Sequence, residues 1–182
     1  MGINHSSRVD VYVHAVWSTW DRAPFLTKDV REHVYLCIRS ECAKTGSEVI
    51  AIGGIEDHVH VLFRLAATAS VASVVKQMKG SSSHLTNRKL LPRSFRWQGG
   101  YSAGSVSRRS LPHVIDYIAR QEEHHRNRTV IAAAEPAYET GCDGRRDRAA
   151  TVHEGGLRVF PAANSFAPLA GVRDEARSRP HV

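Results

Sequence analysis

The sequence of 182 residues is poor in cysteine, with three, poor in methionine, with two, and without long apolar runs. Three cysteines are too few, and odd in number, for the disulfide framework of a stapled secreted domain. Cys37 and Cys42 lie five apart in a helical pattern, so their sulfurs leave different faces and neither a bridge nor a metal site is expected there. No apolar stretch approaches the ~20 residues of a membrane span, and the runs around Val59–Leu65 and Ala66–Val75 are interrupted. Met1 to Ser6 lack a basic region followed by an apolar core, so no secretory signal is expected. Gly2 and Ser6 match a loose myristoylation pattern too short to argue from. The expectation is a cytoplasmic protein with no membrane partner.

Acid is also in short supply. Asp and Glu number 18 against 25 Lys and Arg, for a formal net charge of +7. The whole excess lies in residues 1–128, with 18 basic and 11 acidic side chains, while residues 129–182 carry seven of each. A polyanion such as nucleic acid is the partner class this suits. What remains is ordinary globular material, 42% hydrophobic and 24% charged. A chain of this size buries roughly 70% of its unfolded surface. From Thr129 onward the sequence is rich in Ala, Arg and Gly and has no sustained period. We read residues 1–128 as one domain and 129–182 as a weakly ordered tail.

Val9, Val11 and Val13 alternate with Asp10, Tyr12 and His14, the pattern of a half-buried strand. Val30, Val34, Cys37 and Ile38 predict a helix over about 27–44, closed by Gly46. Glu48 to Ile52 and Asp57 to Leu65 read as a hairpin turned at Gly53-Gly54. Val71, Val74, Val75 and Met78 give a second helix its apolar face, starting near Ser70. Phe95 to Trp97 and Tyr101 to Val106 suggest two more short strands. A last helix starts near Ser110, with that hydroxyl as cap and Pro112 in the first turn. The order predicts an α+β fold of the ferredoxin-like, split βαβ kind. An antiparallel sheet would be backed by two helices, with an added strand and a C-terminal helix.

His58-Val59-His60 places two imidazoles on one face of a strand, about 7 Å apart along the backbone. That is half of a metal site, or simply two sheet-surface histidines. Tyr117 and Gln121 share a face of the last helix, as a catalytic pair or as packing. His124 and His125 are adjacent helical residues that diverge by about 100°, and are expected on the surface. Lys76, Lys79, Arg88, Lys89, Arg93 and Arg96 cluster around the second helix and its exit. They would suit phosphate tracking along DNA, with Trp97 available for stacking, or form a solvated basic face.

Three ordered blocks carry more than their parts. They are Ala51-Ile52-Gly53-Gly54-Ile55-Glu56-Asp57-His58-Val59-His60-Val61-Leu62, the stretch Trp97 to Ser107, and Tyr117-Ile118-Ala119-Arg120-Gln121-Glu122-Glu123-His124-His125. From about Tyr12 to Arg128 the chain resembles the IS-two-hundred-like transposases, single-tyrosine members of the HUH (His-hydrophobe-His) nucleases. The resemblance implies a DNA transposase that cuts and rejoins single-stranded or hairpin DNA through a covalent 5′-phosphotyrosine. It implies Tyr117 as nucleophile, His58, His60 and Gln121 as metal ligands, and Asp57 either orienting a ligand or capping the turn. Imidazole and amide ligands with oxygen-rich substrate suit Mg²⁺ or Mn²⁺. It further implies a homodimer, with Tyr117 and Gln121 of one chain completing the site of the other. A domesticated REP-associated tyrosine transposase acting on genomic hairpins would use the same residues. A non-catalytic ferredoxin-like nucleic-acid-binding module would not. Gly104 stands where the family carries a bulky residue, and the family's apolar and acidic segment after the helix is expected to be replaced from Thr129.

Overall fold

The structure, a computed structural model, describes residues 9–92 and 94–135. The N-terminal Gly2 and Ser6, Arg93, Cys142 and the tail beyond Glu135 lie outside the described residues. The strands are β1 (Val11–Ser18), β2 (Glu48–Ile55), β3 (His58–Leu65) and β4 (Ser102–Val106). The helices are α1 (Lys28–Lys44), α2 (Val71–Lys89), α3 (Leu111–Ala119) and α4 (Gln121–Asn127). The sheet order is β2-β3-β1-β4 and every pairing is antiparallel, which is the ferredoxin-like arrangement of an α+β fold.

Alternation along β1 and β3 divides the molecule into two layers. Val13, Ala15, Trp17, Val59, Val61 and Phe63 turn to one face and join Val34, Ile38, Val75 and Met78 of α1 and α2 in the main core. Leu62 turns to the opposite face and packs with Val114 and Ile118 of α3. Gly46 takes φ +77 just after α1, the left-handed conformation that ends a helix cheaply only without a Cβ. Ser70 caps α2 in a reciprocal box with Ser73.

Three sequence expectations change. The strand expected at Phe95–Trp97 shrinks to a single bridge between Trp97 and Thr19, and Ser102–Val106 takes its place in the sheet. Asn87 instead holds this segment, accepting from Phe95 N–H and donating to its carbonyl. The cap before α3 is Ser107 rather than Ser110, because a 3-10 turn at Arg108–Ser110 intervenes and the Ser107 hydroxyl accepts from Ser110 N–H. The last helix is broken at Arg120, whose φ of −104 and ψ of 25 separate α3 from α4. Cys37 and Cys42 are free thiols, as expected. No helix among the described residues is long and apolar enough to cross a membrane.

Candidate active site

The site forms on the face of the sheet opposite α1 and α2. Register sets His60 between Val16 of β1 and Gly53 of β2. Gly53 matters for its missing side chain. A Cβ there would stand 2.2 Å from the carbonyl oxygen of Ile118, so only glycine lets the end of α3 settle beside His60. Tyr117, on that last turn, then meets His60 edge to face with ring centroids 5.9 Å apart. Both belong to the same chain.

Hydrogen bonds on the far ring nitrogens orient both strand histidines. Asp57 Oδ1 lies 2.7 Å from His58 Nδ1, and His14 Nε2 lies 3.0 Å from His60 Nδ1. When Nδ1–H donates in each case, both Nε2 atoms carry their lone pairs into the site. Each Nε2 is buried and makes no hydrogen bond. Burial, followed by the nearby charges of His14, His58, His125 and Arg22, holds the His60 imidazole well below its ordinary pKa. Burial likewise pushes His14 down to about 4. Burial would raise the Asp57 carboxyl, but the His58 hydrogen bond and the Arg22 charge outweigh it, and the net shift is downward. Arg22 Nε sits 2.9 Å from Asp57 Oδ2, so the carboxylate is held from both sides.

Gln121 is fully buried at the head of α4; its amide nitrogen lies 3.4 Å from the Tyr117 carbonyl and its Oε1 has no hydrogen bond. The Tyr117 hydroxyl donates to Glu135 Oε1 at 2.6 Å and accepts from Ile131 N–H at 3.2 Å. Burial first, and the Glu135 hydrogen bond second, push the phenol up to about 12.

Four residues were missed or misplaced by sequence reasoning. Glu135 Oε2 lies 3.3 Å from His58 Nε2 and 3.5 Å from His125 Nε2, and its Oε1 lies 3.7 Å from His60 Nε2. The expected tail begins at Thr129, yet Ile131 and Glu135 reach the centre of the site. His125 was expected on the surface. It is half-buried, with its ring 4.9 Å from His58, because the break at Arg120 redirects α4 over the site. His124 tilts against Tyr117 at 4.9 Å. His14 was placed on the outward face of β1, but α3 and the site cover that face and His14 is only 4% exposed. A clue was present: Ala15-Val16-Trp17 is apolar on both parities, the mark of a strand buried on both sides.

These side chains suit a divalent ion. One ligand atom each from His58, His125 and Glu135 lie within 4.8 Å of one another, and His60 Nε2 lies 3.7 Å from the same Glu135 carboxylate. Imidazole nitrogen combined with carboxylate oxygen is a donor set that can hold a metal ion.

The basic residues do not gather at this centre. Lys76, Arg88 and Lys89 line a groove with Gln77 and His84 between α1 and α2, across the sheet from His58. Lys79 donates to the carbonyls of Gln98, Gly99 and Gly100 and so ties down a loop. Trp97 is 6% exposed, packed edge-on against Trp17 and donating to Ser82, and cannot stack on a base. Arg96 is exposed and lies over the ring of Trp20.

Comparison with known proteins agrees with this fold. The protein-family model described as Transposase IS200 like matches residues 7–121. The ISDra2 transposase TnpA of Deinococcus radiodurans is 26% identical over 117 residues, which span 60% of this chain and 83% of that relative. Two solved structures share the fold. One, from Deinococcus radiodurans R1 and described as a candidate transposase, has a TM-score of 0.53 at 21% identity and covers 66% of this chain and 98% of its own. The other is a REP-associated tyrosine transposase bound to a REP hairpin, with a TM-score of 0.53 at 14% identity, covering 80% of this chain and 98% of its own.

Proposed function

The chain belongs to the IS200-like transposase family, and on that premise we propose that it cuts and rejoins single-stranded DNA through a covalent bond to Tyr117. The observation that carries this reading is the pair of buried, unbonded Nε2 atoms of His58 and His60, oriented from behind and placed beside a buried tyrosine. Buried polar atoms without hydrogen bonds cost stability, and a ligand shared with the nearby Glu135 carboxylate explains why they are kept.

His58, His60 and Gln121 would hold the divalent ion, with Glu135 and His125 in reach of the same position. When bound, the ion supplies Lewis acidity to the scissile phosphate and to the oxygens that gain charge. Asp57 positions His58, and His14 positions His60. Tyr117 Oη attacks phosphorus; the Oη–P bond forms, the P–O3′ bond breaks, and a 3′-hydroxyl is released once its oxygen takes a proton from water. Glu135 Oε1, already accepting the hydroxyl's hydrogen bond, offers a route for the proton leaving Oη. The 5′-phosphotyrosine conserves the energy of the phosphodiester, so an incoming 3′-hydroxyl can reverse the step without ATP.

Hairpin DNA is the form of substrate we favour, because a structural neighbour is held on a REP hairpin. The enzyme would then be mobile with its own element or domesticated to genomic hairpins; recurrence of the gene with flanking hairpins separates the two. The proposal includes a homodimer, in which Tyr117 meets His60 of its own chain, as it does in the single chain, or together with Gln121 completes the partner's site; mixing Tyr117→Phe with the His58→Ala, His60→Ala double variant separates the two.

The test is incubation with hairpin DNA from the gene's own flanks and Mn²⁺, followed by a denaturing gel. A protein–DNA adduct is expected in the wild type. Tyr117→Phe should lose it by ~10³-fold or more while binding the hairpin within about twofold. An undiminished adduct in that variant removes Tyr117 from the chemistry. DNA binding with no adduct in the wild type would favour a purely binding module.

A further inference from the structure

The sequence has three tryptophans, and two of them are closed to solvent: Trp17 is 1% exposed and Trp97 6%. Trp20 is 40% exposed. It sits on a turn that leaves β1 directly beside the site. Thr19 N–H donates to the Asp57 carbonyl at 2.8 Å, and Trp20 N–H donates to the Arg96 carbonyl at 2.7 Å. The turn is therefore pinned between the residue preceding His58 and the segment that follows α2.

Its backbone is strained. Asp21 and Arg22, neither of them glycine, both take φ 54 in the left-handed region. Consecutive residues of this kind are costly and tend to survive where the site needs them. Two things follow from this turn. Arg22 is brought to Asp57 Oδ2, and Trp20 stays at the surface with the Arg96 guanidinium 3.7 Å from its ring centroid.

We propose that Trp20, with Arg96 seated on its ring, is a stacking platform for an unpaired base of single-stranded DNA next to the phosphate bound at His58 and His60. This rests on the function proposed above and names where the strand would lie. An indole ring and a guanidinium plane are both surfaces on which bases stack, whatever the base. Arg96 puts a positive charge on the ring itself, complementary to a phosphodiester chain. A protein partner would call for a wider apolar patch. Among the described residues the other exposed large hydrophobic side chains are Val9, Val11, Leu36, Tyr101, Ile115 and Val130, and none is on this turn or on the segments pinning it. A base-paired duplex hides the faces of its bases and would not use the ring.

The experiment uses the full chain and the unstructured oligonucleotide dT12 in chelator, so that binding is read without cleavage. Trp20 is the exposed emitter, so acrylamide quenching of tryptophan fluorescence should fall when dT12 is added. By fluorescence anisotropy, Trp20→Ala should weaken dT12 binding about 10-fold, within the range of one stacked base, and Trp20→Phe by less than about 3-fold. Because the ring is exposed, both variants should melt close to the wild type, which separates lost stacking from lost folding. Unchanged quenching, equal affinity in Trp20→Ala, or a wild type that does not bind dT12 overturns the platform. The Tyr117 adduct is scored separately. An adduct without Trp20-dependent binding sinks only the platform, and Trp20-dependent binding without an adduct sinks only the covalent chemistry.

Discussion

On the helix-covered face of the sheet, β1 and β3 present Val13, Ala15, Val59, Val61 and Phe63, and the indole nitrogen of Trp17 is the single side-chain polar atom they bring to that core without a partner. On the other face the same strands present His14, His58 and His60, buried at 4%, 0% and 0% exposure, with two of three rings left with an unbonded nitrogen. One parity of each strand is spent on burial, which holds the fold. The other keeps imidazole nitrogens dry without a hydrogen bond, with only the Glu135 carboxylate 3.3–3.7 Å away, which costs stability and is accounted for by a ligand that binds there. The two faces should therefore answer mutation in opposite ways.

The largest contrast is between the histidines and the core. Changing His58 and His60 together to Ala should cut adduct formation by ~10³-fold or more and abolish the rise in melting temperature that Mn²⁺ gives the wild type. Without metal, that variant should melt at or near the wild-type temperature. Phe63→Ala should do the reverse, costing about 3–5 kcal/mol in stability while leaving adduct rate per folded molecule nearly intact. A Mn²⁺ shift that survives loss of both histidines would break the comparison on the site side. A Phe63 variant that keeps its stability would break it on the core side.

Next in size is the joint between the layers. Gly53→Val would push a side chain into the Ile118 carbonyl and displace α3 from β2. A shift of about 1 Å in Tyr117 can cost ~10²-fold in rate, and overpacking about 1–3 kcal/mol in stability. The variant should bind hairpin DNA but form the adduct roughly 10- to 100-fold more slowly. A normal rate would mean that α3 is not the element that sets the nucleophile.

The joint also shows what was legible in the sequence. Period-two alternation placed β1 and β3, and His58-Val59-His60 had to share a face once β3 was a strand. The glycines before it and the tyrosine block after it then located the rest of the expected site. The break at Arg120 was not legible, because Ala119-Arg120-Gln121 carries no proline or glycine. That missing signal sent His125 to the surface in the linear reading. Glu135 stands in an alanine-rich stretch with no period, and only the fold brings it against Tyr117. Trp97 was misread because a Trp next to an arginine suits both DNA stacking and core packing, and Ser82 and Trp17 decide for the core.

The smallest expected effect concerns charge. Lys76, Arg88 and Lys89 account for much of the positive character of α2, and a reading from composition would set them on the DNA. The structure puts them in the groove outside α1 and α2, with the helical layer and the sheet between them and His58. Changing all three to Ala lowers the net charge from +7 to +4 and should still shift hairpin affinity by no more than about 2-fold. The salt dependence is the sharper measurement. Each phosphate contact on a single strand contributes about 0.7 to the slope of log affinity against log salt, so three true contacts would remove about 2. An unchanged slope means that these cations release no counterions and that the strand runs over the histidine face. A drop near 2 would show that DNA wraps past the sheet edge onto the helical layer, and the division of labour between the two faces would fail for binding even where it holds for chemistry.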